Sequence, residues 1–282
     1  MSTVAILGAG DIGGAFAREL AAQDVVSRIV IIDDLGNVAA GKALDVAQSA
    51  PVDGYHTALM GTSDVAAVVG ATAVVVADRA AQPSSEWTDD AGLALLKRVA
   101  GLNQAAFIIC AGATQAAIVE KGVNEAGLSR MRVIGSAPEA LRSAVIALTA
   151  AEAHAAPTDI ALSVLGRAPD NIIVPWDEAS IAGRCATNVL SAAQLARLDA
   201  RIARLWPPGP YALGSGAARM VRTAITRSSR IHAALVAVTR DEGLAGRSAM
   251  MPVTLGPSGI SALVPPSLSS RDRVRFETAM RA

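Results

Sequence analysis

The sequence predicts an α/β protein: a doubly wound parallel sheet over residues 1–137, followed by a smaller α+β domain over residues 138–282. Three observations carry this. Short apolar runs alternate with helically spaced stretches up to about residue 136, the rhythm of parallel βαβ units. The first apolar run leads directly into the glycine-rich GAGDIGG. Near residue 138 the alternation gives way to hairpin-like pairs.

TVAIL (3–7) is the first strand, and helical spacing then runs from the glycines through Gln23. RIVIID (28–33) is the next strand, and a second helix covers roughly 38–49. Weaker strands follow at 56–60 and at TAVVVA (72–77). Thr88 with Asp89 and Asp90 starts a helix, with a cap and two acids at the positive end of its dipole. AAFIICA (105–111) is a buried strand, Thr114 opens a helix, and MRVIGS (131–136) is a sixth strand. Pro138 and Glu139 suit the first turn of a helix running to about His154. Beyond it stand a hairpin-like pair (158–165 and 171–176) and a helix opened by Ser191. A Pro-Pro-Gly-Pro break at 207–210 precedes another helix, strands lie near 232–239 and 248–264, and Ser269 caps the last helix.

Composition narrows the function classes. Hydrophobic residues make up 52% of the chain but aromatics only 3%, so Ala, Val, Leu and Ile must fill the core. Mean hydropathy is +0.40, yet no apolar run approaches the about 18 residues of a membrane span; the excess points to a subunit interface. A net charge of zero gives no long-range pull toward nucleic acid or an anionic membrane. Cys110 and Cys185 lack metal-ligand spacing, so neither a metal nor a disulfide framework is implied. With a strand beginning by Thr3 there is no room for a signal peptide, and the reduced cytoplasm is the expected compartment.

Gly8, Gly10 and Gly13 form a G-x-G-x-x-G loop between a strand and a helix, the Rossmann-type arrangement. Two of the glycines let backbone turn and approach a pyrophosphate, and the third lets helix and strand pack closely. Asp33 ends the second strand, where an acid accepts hydrogen bonds from an adenosine ribose and favours NAD over NADP. The expected cofactor-binding set is Gly8, Gly10, Asp11, Ile12, Gly13 and Asp33. Asp11 is also a competitor, since a carboxylate at the helix start contends with phosphate for the same amides.

The stretches VAILGAGDIGGAFA (4–17), VIIDDLGNVAAGKALDVAQSAPVDG (30–54), GTSDVAAVVGATAVVVA (61–77) and LSRMRVIGSA (128–137) resemble the lactate/malate dehydrogenase family. The Gly41–Pro51 segment is the most specific match, and weaker likeness covers nearly the whole chain. The resemblance implies hydride transfer from a 2-hydroxy acid to NAD. In that chemistry a histidine takes the hydroxyl proton and an aspartate orients it. Arginines hold the carboxylate and polarise the carbonyl, and an asparagine sits by the nicotinamide ribose. It also implies that the Gly41–Pro51 helix pairs subunits.

Position by position, the chemistry is missing. The family's G-G-H-G-D corner reads Gly166-Arg167-Ala168-Pro169-Asp170 here, so Ala168 takes the histidine's place. On the helix at 141–145, Arg142 stands for the aspartate and Val145 for an arginine. Gln82 and Thr88 occupy the two loop-arginine positions, and Ala113 that of the asparagine. His56, read on the third strand, His154 and His232 lie away from the segments used for chemistry.

Two readings follow. The leading one is a non-catalytic or repurposed homologue, a pseudoenzyme acting as a homo-dimer or tetramer, or as a hetero-oligomer with an active homologue. The other is an NAD-dependent oxidoreductase of small hydroxy or keto acids with rearranged residues. In it Asp170 or Glu86, made basic by burial, serves as base, and Arg79 holds the substrate. Arg142 and Arg167 are candidates for a small-anion site. NAD occupancy turns on Asp78-Arg79, a bulky charged turn where the family has small residues: it either closes the cleft or clasps another ligand.

Overall fold

The computed structural model describes residues 2–80, 85–238 and 247–281. In the first half, β1 (Thr3–Leu7), α1 (Asp11–Ala22), β2 (Arg28–Ile32), α2 (Gly36–Asp53), β3 (Ala58–Thr62) and β4 (Ala73–Val76) follow one another. Next come a small hairpin, β5 (Asp78–Arg79) and β6 (Ser85–Glu86), then α3 (Asp89–Leu102), β7 (Phe107–Cys110), α4 (Ala116–Asn124) and β8 (Val133–Gly135). The second half holds α5 (Ala137–Ala153), β9 (Ile160–Ala161), β10 (Leu165–Arg167), β11 (Asn171–Ile173), β12 (Ser180–Ile181), β13 (Arg184–Cys185) and α6 (Ala186–Val189). It ends with α7 (Ala192–Ile202), α8 (Pro210–Thr226), β14 (Ile231–Ala237), β15 (Ser248–Gly256), β16 (Gly259–Leu263) and α9 (Ser270–Arg281).

Six parallel strands run in the order β3-β2-β1-β4-β7-β8, the doubly wound arrangement of a Rossmann-type sheet. Both faces are covered, which is why the strands read as continuous apolar runs. Val4 and Ile6 of β1 point into one core and Ala5 and Leu7 into the other. Phe107 and Ile109 divide from Ile108 and Cys110 in the same way on β7. The sheet does not stop at residue 137. β14 joins β8 antiparallel at Leu235–Gly135, and β15, β10 and β11 extend it further.

Several expected boundaries shift for local reasons. The strand expected at 56–60 begins two residues later, because His56 and Thr57 hydrogen-bond to Asp24 and to the Val26 carbonyl; His56 therefore precedes β3. The 158–165 strand is two pieces: β9 joins β12 in a separate sheet, and the hairpin is β10–β11. A turn at 257–258 splits the 248–264 run into β15 and β16. Residue 239 lies outside the described residues. Thr114 does not open α4: Gln115 stands at its start, with its side-chain oxygen accepting from the Gly112 amide at 2.8 Å. Thr88 precedes α3, but its hydroxyl bonds Asp89 rather than a helix amide. Ser191 forms a full capping box with Gln194, and Ser269 accepts from the Asp272 amide at 3.2 Å.

The first turn of α5 carries a buried charge that ties it to β14. Glu139 accepts from the Ala233 amide at 2.9 Å, lies 3.2 Å from His232 Nδ1, and reaches the Arg142 guanidinium at 3.4 Å. The other ring nitrogen of His232 meets the Thr223 hydroxyl at 2.8 Å, so the fully buried imidazole bridges α5 and α8. Burial by itself raises Glu139. The His232 imidazole beside it, the Arg142 guanidinium and the Ala233 amide overcome it and hold the carboxyl below its ordinary range. Its stabilising contribution is therefore complete above the ordinary carboxyl value of about 4.3 and is lost as pH falls through the lowered folded value. Glu139→Ala is expected to cost about 3–5 kcal/mol by leaving partners unpaired. In acid melts the Glu139→Gln variant should fall less steeply with decreasing pH than the unaltered chain; parallel curves would contradict this.

Candidate functional site

The glycine loop lies between β1 and α1, and its amides already have partners. The Asp78 carboxylate accepts from the Asp11 amide at 2.8 Å and from the Gly13 amide at 3.0 Å, one oxygen to each. The Asp78 carbonyl takes the Gly10 amide at 2.9 Å. These are the unsatisfied N–H groups that open α1, where the helix dipole favours an anion. Asp78 is only 3% exposed. A Cβ on Gly10 would run into the Asp78 carboxyl group, so glycine there now makes room for an internal side chain.

The other loop positions follow the same pattern. Asp33 accepts from Ala9 at 2.8 Å, Leu35 at 3.0 Å and Ala80 at 2.9 Å, joining the loop, β2 and β5. Ile12 is buried in the core beneath α1. Lys42 reaches from α2 to donate to the Gly10 carbonyl at 2.7 Å. The anticipated competition for the amides is real in kind but misassigned: Asp11 contributes its amide, while its own exposed side chain lines the groove between α1, α2 and α8.

The hairpin that carries Asp78 carries a second acid. Asp78 and Glu86 are cross-strand partners, which places their side chains on one side of the ribbon. Glu86 accepts from the Ala113 amide at 2.9 Å, the Thr114 amide at 2.7 Å and the Thr114 hydroxyl at 2.5 Å. Gly112 faces the Glu86 carboxyl as closely as Gly10 faces Asp78. Gln115 clamps the hairpin base by donating to the Ala77 and Trp87 carbonyls. Arg79 lies over the Trp87 ring, 4.9 Å from its centroid. Burial, helped by the nearby Glu86 charge, pushes the Cys110 thiol up to about 12, which leaves it inert as a nucleophile.

A dinucleotide bound in this fold sets its pyrophosphate on the first-turn amides of α1. Those amides are taken and the cradle is filled by a carboxyl group, so the residues as arranged do not fit that group. Among the described residues, no cluster of three or more His, Cys, Asp or Glu is placed to hold a metal.

The positions that the resemblance assigns to chemistry are dispersed among different surroundings. Ala168 borders a cavity of about 50 Å3 lined by groups such as Ala113, Trp206, Leu235 and Met250. Val145 is fully buried in a third core, formed by the second half of the chain. Thr88 stands at the start of α3, and Gln82 lies outside the described residues. The geometry does not bring Arg142 and Arg167 together. Arg142 binds the Leu162 carbonyl and Glu139, while Arg167 lies 3.5 Å from Glu120 and borders the Ala168 cavity, which Arg142 does not. Asp170 is exposed, Glu86 is committed to two amides, and Arg79 is stacked on Trp87. His154 caps α5, His56 is exposed beside Asp24, and His232 is sealed against Glu139 and Thr223. Sequence reading weighed Asp78-Arg79 as closing the cleft, but it did not give the partners of Asp78 and Glu86, which are backbone amides. The available signal was an acid directly after β4, opposite the glycine loop.

No protein-family model matches the chain. In sequence it is similar to a malate dehydrogenase of Thermomicrobium roseum, 25% identical over 294 aligned positions that cover 99% of this chain and 95% of that protein. In structure it is similar to a malate dehydrogenase from Salinibacter ruber, with a TM-score of 0.86, 20% identity and coverage of 98% and 93% of the two chains. It is also similar to a lactate dehydrogenase from Cryptosporidium parvum solved with lactic acid and nicotinamide adenine dinucleotide, with a TM-score of 0.85, 18% identity and coverage of 99% and 95%. In sequence and in fold the chain is thus similar, over nearly its whole length, to malate and lactate dehydrogenases.

Proposed function

We propose that this chain is a lactate/malate dehydrogenase homologue that does not oxidise 2-hydroxy acids and serves instead as a non-catalytic subunit. The observation that carries this reading is the corner at Ala168. It presents a methyl group to a cavity of about 50 Å3, and no described histidine reaches it. Loss of a general base removes about 10²–10⁴-fold of rate. Loss of one preorganised group facing the developing charge removes about 10²–10³-fold more. The arginines closest in sequence to those roles are engaged by Glu139 and Glu120.

The surface supports the subunit role. Leu44 and Val52 on α2 are 60% and 87% exposed, and Tyr211 at the start of α8 is 82% exposed. α2 and Tyr211 border the groove of about 630 Å3 between α1, α2 and α8. Large apolar side chains left in water favour a contact surface, and the proposed occupant is a second copy of the chain, through a self-complementary interface.

Two outcomes are expected. Mixed with NAD or NADH and a panel of 2-hydroxy and 2-keto acids, the protein produces no turnover above background in absorbance assays; turnover abolished by Asp170→Ala would sink the reading. By light scattering at micromolar concentration the protein is at least a dimer, and Leu44→Lys with Val52→Lys shifts it toward monomer. A monomeric unaltered chain would remove the subunit role.

A further inference from the structure

The two acids of the β5–β6 hairpin have no part in a lost reaction, yet both are seated in backbone amide sites. We propose that this hairpin is the resident ligand of the Rossmann-type cleft, with Asp78 in the place of a pyrophosphate, so that phosphate-bearing nucleotides are excluded until Asp78 is removed. This goes beyond the proposed loss of turnover and is decided by binding alone.

The geometry is specific. Asp78 gives one carboxylate oxygen to each of two first-turn amides of α1 and its carbonyl to a third amide in the loop. A phosphate oxygen approaching the same N–H groups meets a buried carboxylate at hydrogen-bond distance, and like charges cannot share these donors. Displacing Asp78 is opposed from several sides. Ala80, the second residue beyond it, is tied to Asp33. Gln115 holds the Ala77 carbonyl on its other side, and across the ribbon Glu86 is anchored to Ala113 and Thr114. A side chain held by its own fold competes at high effective concentration, so a dissolved anion is at a disadvantage throughout.

The cradle itself is intact beneath the carboxylate. The glycines keep their positions, Lys42 supports the loop from below, and the α1 amides converge on one point. Shortening the side chain at position 78 therefore leaves an anion site with its donors in place. Glu86 sits on different amides, ahead of α4, and its removal leaves the pyrophosphate cradle filled.

The test uses the full chain with inorganic pyrophosphate, ADP-ribose and NAD, read by thermal shift and confirmed by calorimetry. Asp78→Ala is the main variant. Asp78→Ser, whose hydroxyl still accepts from helix amides, guards against a fold too weakened to measure. Expected is no shift for the unaltered chain or for Glu86→Ala with pyrophosphate. Both Asp78 variants should rise by about 5 °C at a hundred times the dissociation constant. An unaltered chain that shifts as far as its variants would overturn the proposal. So would folded Asp78→Ala and Asp78→Ser proteins that bind none of the three probes.

Discussion

A buried N–H group must find an acceptor, and the amides that open α1 find theirs in a carboxylate 67 residues further along the chain. The rest of the cleft is arranged around that pairing. In a dinucleotide-binding fold the same amides are left free inside the protein and completed by phosphate. Here the hairpin after β4 supplies the negative charge, and a second acid on the same hairpin completes the amides ahead of α4. The amides at the start of α1 and ahead of α4 are thus satisfied from within the chain, and Asp78 sets its charge against the α1 dipole. Charge-assisted hydrogen bonds to buried amides are individually worth about 1.5–3 kcal/mol, so such a hairpin contributes to the fold rather than waiting to move.

The same substitution of internal contacts for ligand contacts recurs at the second half of the site. Arg142 turns away to the Leu162 carbonyl and Glu139, and Arg167 turns to Glu120, which also accepts from Ser248. Arg142 and Arg167 therefore each face an internal carboxylate rather than each other. The scaffold around them is continuous: the strand order, the packing of α1 on α8 through Gly214 against Ala15 and Phe16, and the sheet running from β8 into β14. Under the proposed function, such a scaffold with apolar side chains exposed on α2 is suited to being packed against rather than reacted with.

Much of this was legible in the residues. Alternating apolar runs located all six parallel strands, because covered sheets leave a strong local signature. Ser191 with Gln194 and the Pro-Pro-Gly-Pro break marked helix starts by chemistry confined to a few neighbouring positions. The fate of Asp78 did not follow, because its partners Asp11 and Gly13 are distant in sequence and amides carry no residue identity. Glu139 was read as an ordinary first-turn acid, since nothing local shows that His232, on another element, closes over it. Thr114 failed as a helix cap for a similar reason: Glu86 claimed its hydroxyl from the hairpin.

The central claim concerns who holds the amides at the start of α1, and amide hydrogen exchange reads that directly. In the unaltered chain without any added ligand, the Asp11 and Gly13 amides should exchange slowly, and saturating NAD should leave their rates unchanged. Rapid exchange that slows when NAD is added would mean that the dinucleotide, and not Asp78, is their partner.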